Sequence, residues 1–238
     1  KDKFSYNIFI HVYLLNKFEK KYKIKKKKID LKLKKKFPKK NFVNMLKQLR
    51  SFIGKLEPKK QVTTWQNYSS ENTYSQLDTE IKSKIVKNFV INNNISTLGD
   101  LGCNDGYFSK IAMDDVENTI VGFDFDINSL NRAYKNNKNQ SKFLPLYFDS
   151  TNPSPSIGWN ENERKSFNER FKFDGVIALA FIHHLVIAKN IIFEDVINWI
   201  LNLAPSGLME FVPKNDSTVK KMLKFKGDIF PLYKKEYF

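Results

Sequence analysis

Cysteine is almost missing from this chain: Cys103 stands alone among 238 residues. No disulfide can form within it, and a reducing, cytoplasmic setting is the natural reading. No long apolar run is present either. The stretch Phe4 to Leu15 falls short of the roughly 20 apolar residues of a membrane span, is broken by Ser5, Asn7 and His11, and lacks the small-residue cleavage site of a signal peptide. Neither Gly102 nor Gly106 is followed by the Lys-Ser/Thr pair of a phosphate-binding P-loop, so a nucleoside triphosphate is not expected. Histidines number three, and the pair His183-His184 has no third ligand at a useful spacing, so metal dependence is not predicted.

Acidic residues are outnumbered by basic ones, 25 against 41, for a net charge of +16. The excess is local. Residues 17 to 40 hold fourteen lysines against Glu19 and Asp30, which is +12 of the total and leaves +4 for the rest. Such an arm can attract RNA or an anionic membrane surface. A chain rich in Lys, Asn and Ile throughout also fits simple compositional drift, and that reading is preferred. Phe4, Ile8, Leu15 and Phe18, with His11 between them, fall near one helical face, which predicts a docking helix ahead of an interfacial anchor. The expected organisation is a helical, Lys-rich extension over 1–60 and a single α/β domain over 61–238, a size that one hydrophobic core can serve. The chain has no initiating Met and stops before the last strand pair of the fold argued below, so a piece of something longer is expected.

The most informative stretch is Thr97-Leu-Gly-Asp-Leu-Gly-Cys-Asn-Asp-Gly106. An apolar run ends in Asp100-Leu101-Gly102, and Gly106 opens a helical pattern. A strand feeding a helix through small residues lets the backbone approach a nucleotide-like ligand closely. The dinucleotide pattern G-x-G-x-x-G fails because Asn104 stands at the second glycine, which would clear room for a pyrophosphate. Asp100 would repel a pyrophosphate but suits an ammonium or sulfonium. Asp124 stands where a side chain that reads the rest of the ligand is expected. The charge pattern is that of S-adenosylmethionine.

Strand-like runs at 95–101, 119–124, 143–148, 173–180 and 207–212 alternate with helical patterns at 106–115, 127–138 and 191–203, and further helices are expected at 75–91 and 215–224. This rhythm predicts an α/β, Rossmann-like, doubly wound, mainly parallel sheet with the ligand at the carboxyl ends of its strands.

The motif Asp100-Leu-Gly-Cys-Asn-Asp-Gly106 resembles the first motif of the class I S-adenosylmethionine-dependent methyltransferases. Asn104 departs from the usual glycine, yet asparagine enters left-handed backbone readily enough for the turn to survive. The resemblance implies cofactor contacts from Asp100, Gly102, Asn104 and Gly106. It implies that Asp124, ending Ile120-Val-Gly-Phe-Asp124, holds the two ribose hydroxyls, that Phe125 or Asp126 flanks the adenine, and that Asp149 approaches its amino group. From residue 152 on, Asn152-Pro-Ser-Pro155, Gly158-Trp159, Glu163-Arg164, Ile182-His-His-Leu185 and Glu210-Phe-Val-Pro213 are similar to a bacterial subgroup related to the nodulation protein NoeA. With the region of Trp65, Tyr68 and Tyr74, this likeness spans roughly 60–238.

Methyl transfer asks the protein mainly to align a nucleophile and take up its proton. His183 and His184 follow the fourth strand, where this fold faces the transferred methyl, and adjacent residues point apart, so one of them is the expected base, with His183 favoured. The alternative is that both merely cap the strand. Trp65, Tyr68 and Tyr74 are expected either to close over the methionine end or, as aromatics ahead of a helix more often do, to serve as core or staple residues. Residues 149–171, carrying Trp159, Arg164 and Arg170, read equally as a lid with acceptor contacts or as a surface excursion with a short helix at 161–170 whose Glu and Arg pair in solvent. Glu210 is expected to orient a loop or contact substrate, with a purely structural role an equal alternative. Asn152-Pro-Ser-Pro155 follows the third strand, and so is no amine-methylation motif. Ribose methylation lacks its acid where Ala180 stands.

The expected activity is methylation of an oxygen or nitrogen of a small-molecule or glycan-like acceptor. An RNA methyltransferase guided by the basic arm and a non-catalytic cofactor-binding module are the alternatives. The RNA reading has a direct test in a filter-binding titration: removing residues 1–40 should weaken RNA binding and flatten its salt dependence, and an unchanged salt slope would retire it.

Overall fold

The computed structural model describes residues 9–14, 16–17, 38–56 and 76–238. The chain divides into two units, Lys1–Lys60 and Gln61–Phe238. In the first, a π-helical turn Phe9–Leu14 stacks Phe9 on Tyr13 at 5.6 Å. Helix α1, Lys39–Gly54, starts after Pro38 and buries no residue. The face predicted from Phe4, Ile8, Leu15 and Phe18, most of the Lys-rich stretch, and Trp65, Tyr68 and Tyr74 lie outside the described residues. No helix among the described residues is long and apolar enough to cross a membrane.

The second unit opens with helix α2, Gln76–Asn92, and then alternates β1 Thr97–Leu101, α3 Tyr107–Ala112, β2 Thr119–Asp124, α4 Ile127–Asn136, β3 Phe143–Tyr147, α5 Phe167–Arg170, β4 Gly175–Ala178, α6 Phe193–Leu201, β5 Ser206–Met209 and α7 Ser217–Lys226. The strands form one sheet in the order β3-β2-β1-β4-β5, with every pairing parallel. This is the doubly wound, Rossmann-like arrangement anticipated from the sequence. The order reverses between β1 and β4, and a crevice opens at that switch point beyond the carboxyl ends of the strands.

Parallel strands covered on both faces need apolar residues of both parities. Leu98, Ile120 and Ile177 point into a core shared with Val86 and Val90 of α2, Ala112 of α3 and Ala133 of α4. Leu101, Val121, Phe123, Val176 and Ala178 point into the other core, against Phe167 of α5, Val196 and Ile200 of α6, and Val219 of α7. Pro145 lacks a ladder donor and sits in β3, which ends the strand order on that side.

Several boundaries differ from the sequence pattern for local reasons. The pattern at 106–115 ends at Ala112, where Met113 bonds back to the Lys110 carbonyl and Asp114 and Asp115 would oppose the dipole of a continuing helix. Strand β4 stops at Ala178 instead of residue 180, because Ala180 takes left-handed backbone with φ +48°. Asp126 and Asp216 cap α4 and α7 by accepting the second and third amides of each helix.

The 149–171 segment is tied down along its length. An antiparallel bridge joins Ile157 to Arg164. Ser166 and Glu169 form a reciprocal capping box at α5, and Glu169 also accepts from Ser156. Three hydroxyl and amide donors around Glu169 hold its carboxyl at about 2. Arg170 donates to Ser154 at 2.8 Å. The Glu–Arg pairing expected in solvent is therefore replaced by serine contacts, and the helix is confined to four residues.

Phe167 anchors the whole excursion. Its ring stacks on Phe148 at 4.0 Å and meets Phe123 edge-on at 5.3 Å, with Phe171 at 5.0 Å. Fully burying such a side chain is among the largest single contributions a core residue makes. Phe167→Ala is expected to cost about 3–5 kcal/mol, read from urea unfolding of the full chain; a loss near zero would show that the aromatic cluster is not what seats this segment.

Candidate functional site

The turn after β1 is built by three left-handed residues at alternate positions, Gly102 at φ +77°, Asn104 at +50° and Gly106 at +81°. Gly102 has a second reason to lack a side chain, since a Cβ there would lie 2.9 Å from the ring of Phe181. Asn104 follows the expectation for its departure from glycine: it holds the left-handed conformation, and its side-chain oxygen accepts from the Asp105 amide at 2.9 Å. The turn is bolted to the end of β2. The amides of Gly102 and Cys103 both donate to the Phe123 carbonyl, at 2.8 and 3.0 Å.

Asp124 completes that junction. One carboxylate oxygen accepts from the Asn104 amide at 2.9 Å and the other from the Asp126 amide at 2.8 Å. Each oxygen keeps a further lone pair for a ligand hydroxyl. Burial pushes the Asp124 carboxyl up from its ordinary value, against the pull of these amides. Asp100 lies deeper, 3% exposed, and takes the Ser109 hydroxyl. Burial raises it to about 7, opposed by Ser109 and aided by the charge of Asp124.

Two cavities meet at this turn, sharing Gly102, Asn104, Leu179 and Ala180. The larger, about 370 Å³, takes in Asp124, Phe125, Asp149, Phe181, His184 and Lys189. The smaller, about 240 Å³, takes in Asp100, Asp105 and Glu210, with Gln76, Thr79 and Lys82 from α2. Of the residues singled out in the sequence, Asp100, Gly102, Asn104, Asp124, Phe125, Asp149, His184 and Glu210 are thus gathered around one crevice.

Others lie elsewhere. Gly106 lines neither cavity and instead gives room to Phe143, 3.0 Å from where its Cβ would be. Trp159, 86% exposed, and Arg164 lie outside both cavities, on the bridged excursion. Tyr74 is outside the described residues. His183, favoured over its neighbour from the sequence, is buried behind the wall, with its Nδ1 lacking a hydrogen-bond partner. His184 is the histidine that reaches the larger cavity, and the two rings lie 4.1 Å apart. Burial lowers His183 to about 3, helped by the charge of His184, and lowers His184 to about 4.

Asp149 ends the crevice in an Asx turn: its Oδ1 accepts from the amide and hydroxyl of Thr151 at 2.9 and 2.7 Å, which holds the carboxyl below its ordinary value. Cys103 is buried beside Asp100 and Asp124, and burial followed by their charges pushes its thiol up, so it offers no thiolate. Among the described residues no group of three His, Cys, Asp or Glu is placed to hold a metal ion.

Sequence reasoning missed Lys82, whose ammonium meets Glu210 at 2.7 Å. One lysine in a chain with 41 basic residues carries no signal of its own. Its only trace is that Thr79 and Lys82 share a face of α2. Lys189 was hidden for the same reason.

An all-parallel sheet in this order, with the acid of β2 facing a left-handed turn after β1, is the Rossmann-like arrangement expected above for a class I S-adenosylmethionine-dependent methyltransferase fold. The chain is 42% identical over 240 residues to nodulation protein NoeA of Rhizobium meliloti (strain 1021), covering 99% of this chain and 50% of that protein. It therefore spans about half the length of that relative, and the likeness runs well beyond residues 60–238 into the amino-terminal extension. No protein-family model matches. Similar solved structures include the N-methyltransferase NodS from Bradyrhizobium japonicum WM9 in complex with S-adenosyl-L-homocysteine, at 13% identity and TM-score 0.44, covering 60% of this chain and 68% of that one. They also include WbdD, at 19% identity and TM-score 0.44, covering 71% of this chain and 37% of that one.

Asp100 and the histidines bias stability in opposite senses. A carboxyl raised to about 7 when folded binds a proton that the unfolded chain releases near 3.8, so its contribution is complete below 3.8 and lost as pH rises through 7. His183 and His184, lowered to about 3 and 4 from 6.5, contribute above 6.5 and lose it as pH falls through 4 and 3. Asp100→Asn removes only the first effect. Relative to wild type, its melting temperature should rise by about 5–10 °C more at pH 8 than at pH 5, read by differential scanning calorimetry. An offset that does not change with pH would contradict the burial of a carboxylate here.

Proposed function

We propose that this chain binds S-adenosylmethionine across the two cavities and transfers its methyl group to an oxygen or nitrogen of a small-molecule or glycan-like acceptor. The observation that carries this reading is the Asp124 carboxylate, fixed by one amide on each oxygen and presented to the larger cavity beside a turn that leaves no room for a side chain at Gly102. A vicinal diol fits two carboxylate oxygens that each have a lone pair left. Phe125 and Asp149 are in the same cavity and suit an adenine ring and its amino group. Asp100 and Asp105 give the smaller cavity a negative character suited to a sulfonium and an ammonium. Lys82 is the cation there that suits a carboxylate.

The cofactor supplies an activated methyl group whose departure leaves a neutral thioether, so the protein has little covalent work to do. Its residues must hold the donor, exclude water and receive the acceptor's proton. His184 bears on the last task. Its ring lines the larger cavity and burial keeps it neutral at physiological pH, so the imidazole can accept a hydrogen bond from a hydroxyl or amine and orient it as positive charge leaves the donor, while the same burial makes it a weaker base than a free imidazole. His183 packs behind it and fixes its ring. Asp100 balances the positive charge of the donor without touching the acceptor.

Asp124→Ala decides the central assignment. In calorimetric titrations, S-adenosylmethionine should bind wild type saturably and bind the variant at least about 100-fold more weakly, the loss expected for two hydrogen bonds to a charged group. Equal affinity would remove the ribose clamp from Asp124. Binding with no turnover against a broad acceptor panel would favour the non-catalytic module instead.

A further inference from the structure

Ala180 has an unusual place in this site. It is a residue with a Cβ held in left-handed backbone, at φ +48°, a conformation that costs most non-glycine residues free energy unless their surroundings impose it. It lines both cavities, so its peptide forms part of the partition between them. Its amide donates to Glu210 Oε2 at 2.9 Å, while Glu210 Oε1 accepts from Lys82 Nζ at 2.7 Å. Glu210 follows β5 directly and is tied to β4, its amide donating to the Ala178 carbonyl at 3.1 Å. One carboxylate at the end of β5 therefore reaches across to the strained residue after β4, steadied by a cation from α2.

Resting on the methyl-donor reading above, we infer that Glu210 is a positioning residue: by holding the Ala180 amide it imposes the left-handed turn that aims the chain after β4 into the site. The residues that follow show what the turn controls. Phe181 packs where a side chain at Gly102 would be, 2.9 Å from an ideal Cβ there. The Phe181 carbonyl accepts from the His184 amide at 3.0 Å, which starts the helical turn His184–Ala188. Release of Ala180 toward ordinary backbone would rotate Phe181 off the cofactor turn and carry His184 away from the larger cavity. Glu210 thus acts on the cofactor turn and on His184 through the backbone. Lys82 holds that carboxylate in place at 2.7 Å, close to the acids Asp100 and Asp105 of the same cavity.

The test uses the full chain and four variants: Glu210→Ala, Glu210→Gln, Ala180→Gly and the double variant Glu210→Ala with Ala180→Gly. Each is titrated with S-adenosylhomocysteine and unfolded in urea. Glu210→Ala should weaken binding about tenfold, comparable to the penalty of one left-handed alanine. Glu210→Gln keeps an oxygen for the Ala180 amide and should stay within about threefold of wild type. Ala180→Gly in the Glu210→Ala background should recover most of the loss, because glycine holds positive φ without help. A merely structural glutamate would lower the urea midpoint and leave the affinity of the folded protein unchanged, and that result overturns the inference. So does an equal loss in Glu210→Ala and Glu210→Gln, which would assign the effect to the charge alone. If wild type takes up no S-adenosylhomocysteine, the methyl-donor reading fails by itself, and the unfolding data then decide. Non-additivity of Glu210→Ala and Ala180→Gly sustains the turn-holding role, and additivity ends it.

Discussion

The junction between the turn after β1 and the end of β2 is the constraint on which the site depends. Three amides of one short turn, those of Gly102, Cys103 and Asn104, converge on the Phe123 carbonyl and the Asp124 carboxylate. A turn with three left-handed residues in five positions has little conformational preference of its own, and these bonds select its shape. The same bonds place Asp124. Behind them, the Phe123 ring is held by Phe148, Phe167 and Phe171 at 5.1–5.4 Å, so the position of the acid is determined by apolar packing one residue away. Polar geometry at the surface of the crevice is thus fixed by the aromatic cluster beneath it.

The long segment after β3 belongs to the same logic. Its Pro, Asn and Trp content gives it the look of a mobile cover, but Phe167 ties it to the core and serines hold the charged groups of Glu169 and Arg170. Those contacts hold its base, while Asp149, Ser150 and Thr151 at its start form one edge of the larger cavity. The segment contributes to the site mainly through the residues nearest the strand.

Much of this was legible in the sequence because parallel strands and amphipathic helices impose periods that a single chain displays. The alternation of elements, the left-handed tolerance of Asn104 and the position of Asp124 all follow from local chemistry. What stayed hidden depended on crossings between elements. Which of two adjacent histidines reaches the cavity is decided by the direction in which the chain leaves β4, and that direction turns on a positive φ at Ala180 that no alanine advertises. Lys82 comes from a helix far away in sequence and is one of many lysines. Trp159 and Arg164 looked functional because they are conspicuous residue types, yet the bridge between Ile157 and Arg164 sets them on the excursion and outside both cavities.

The burial of Asp100 has a consequence for how ligands enter. A carboxyl poised at about 7 is occupied by a proton in a good part of the population at neutral pH. On the methyl-donor reading, a positive charge held near Asp100 favours loss of that proton, so uptake of a cationic ligand is linked to proton release, whereas a neutral ligand of the same shape carries no such linkage.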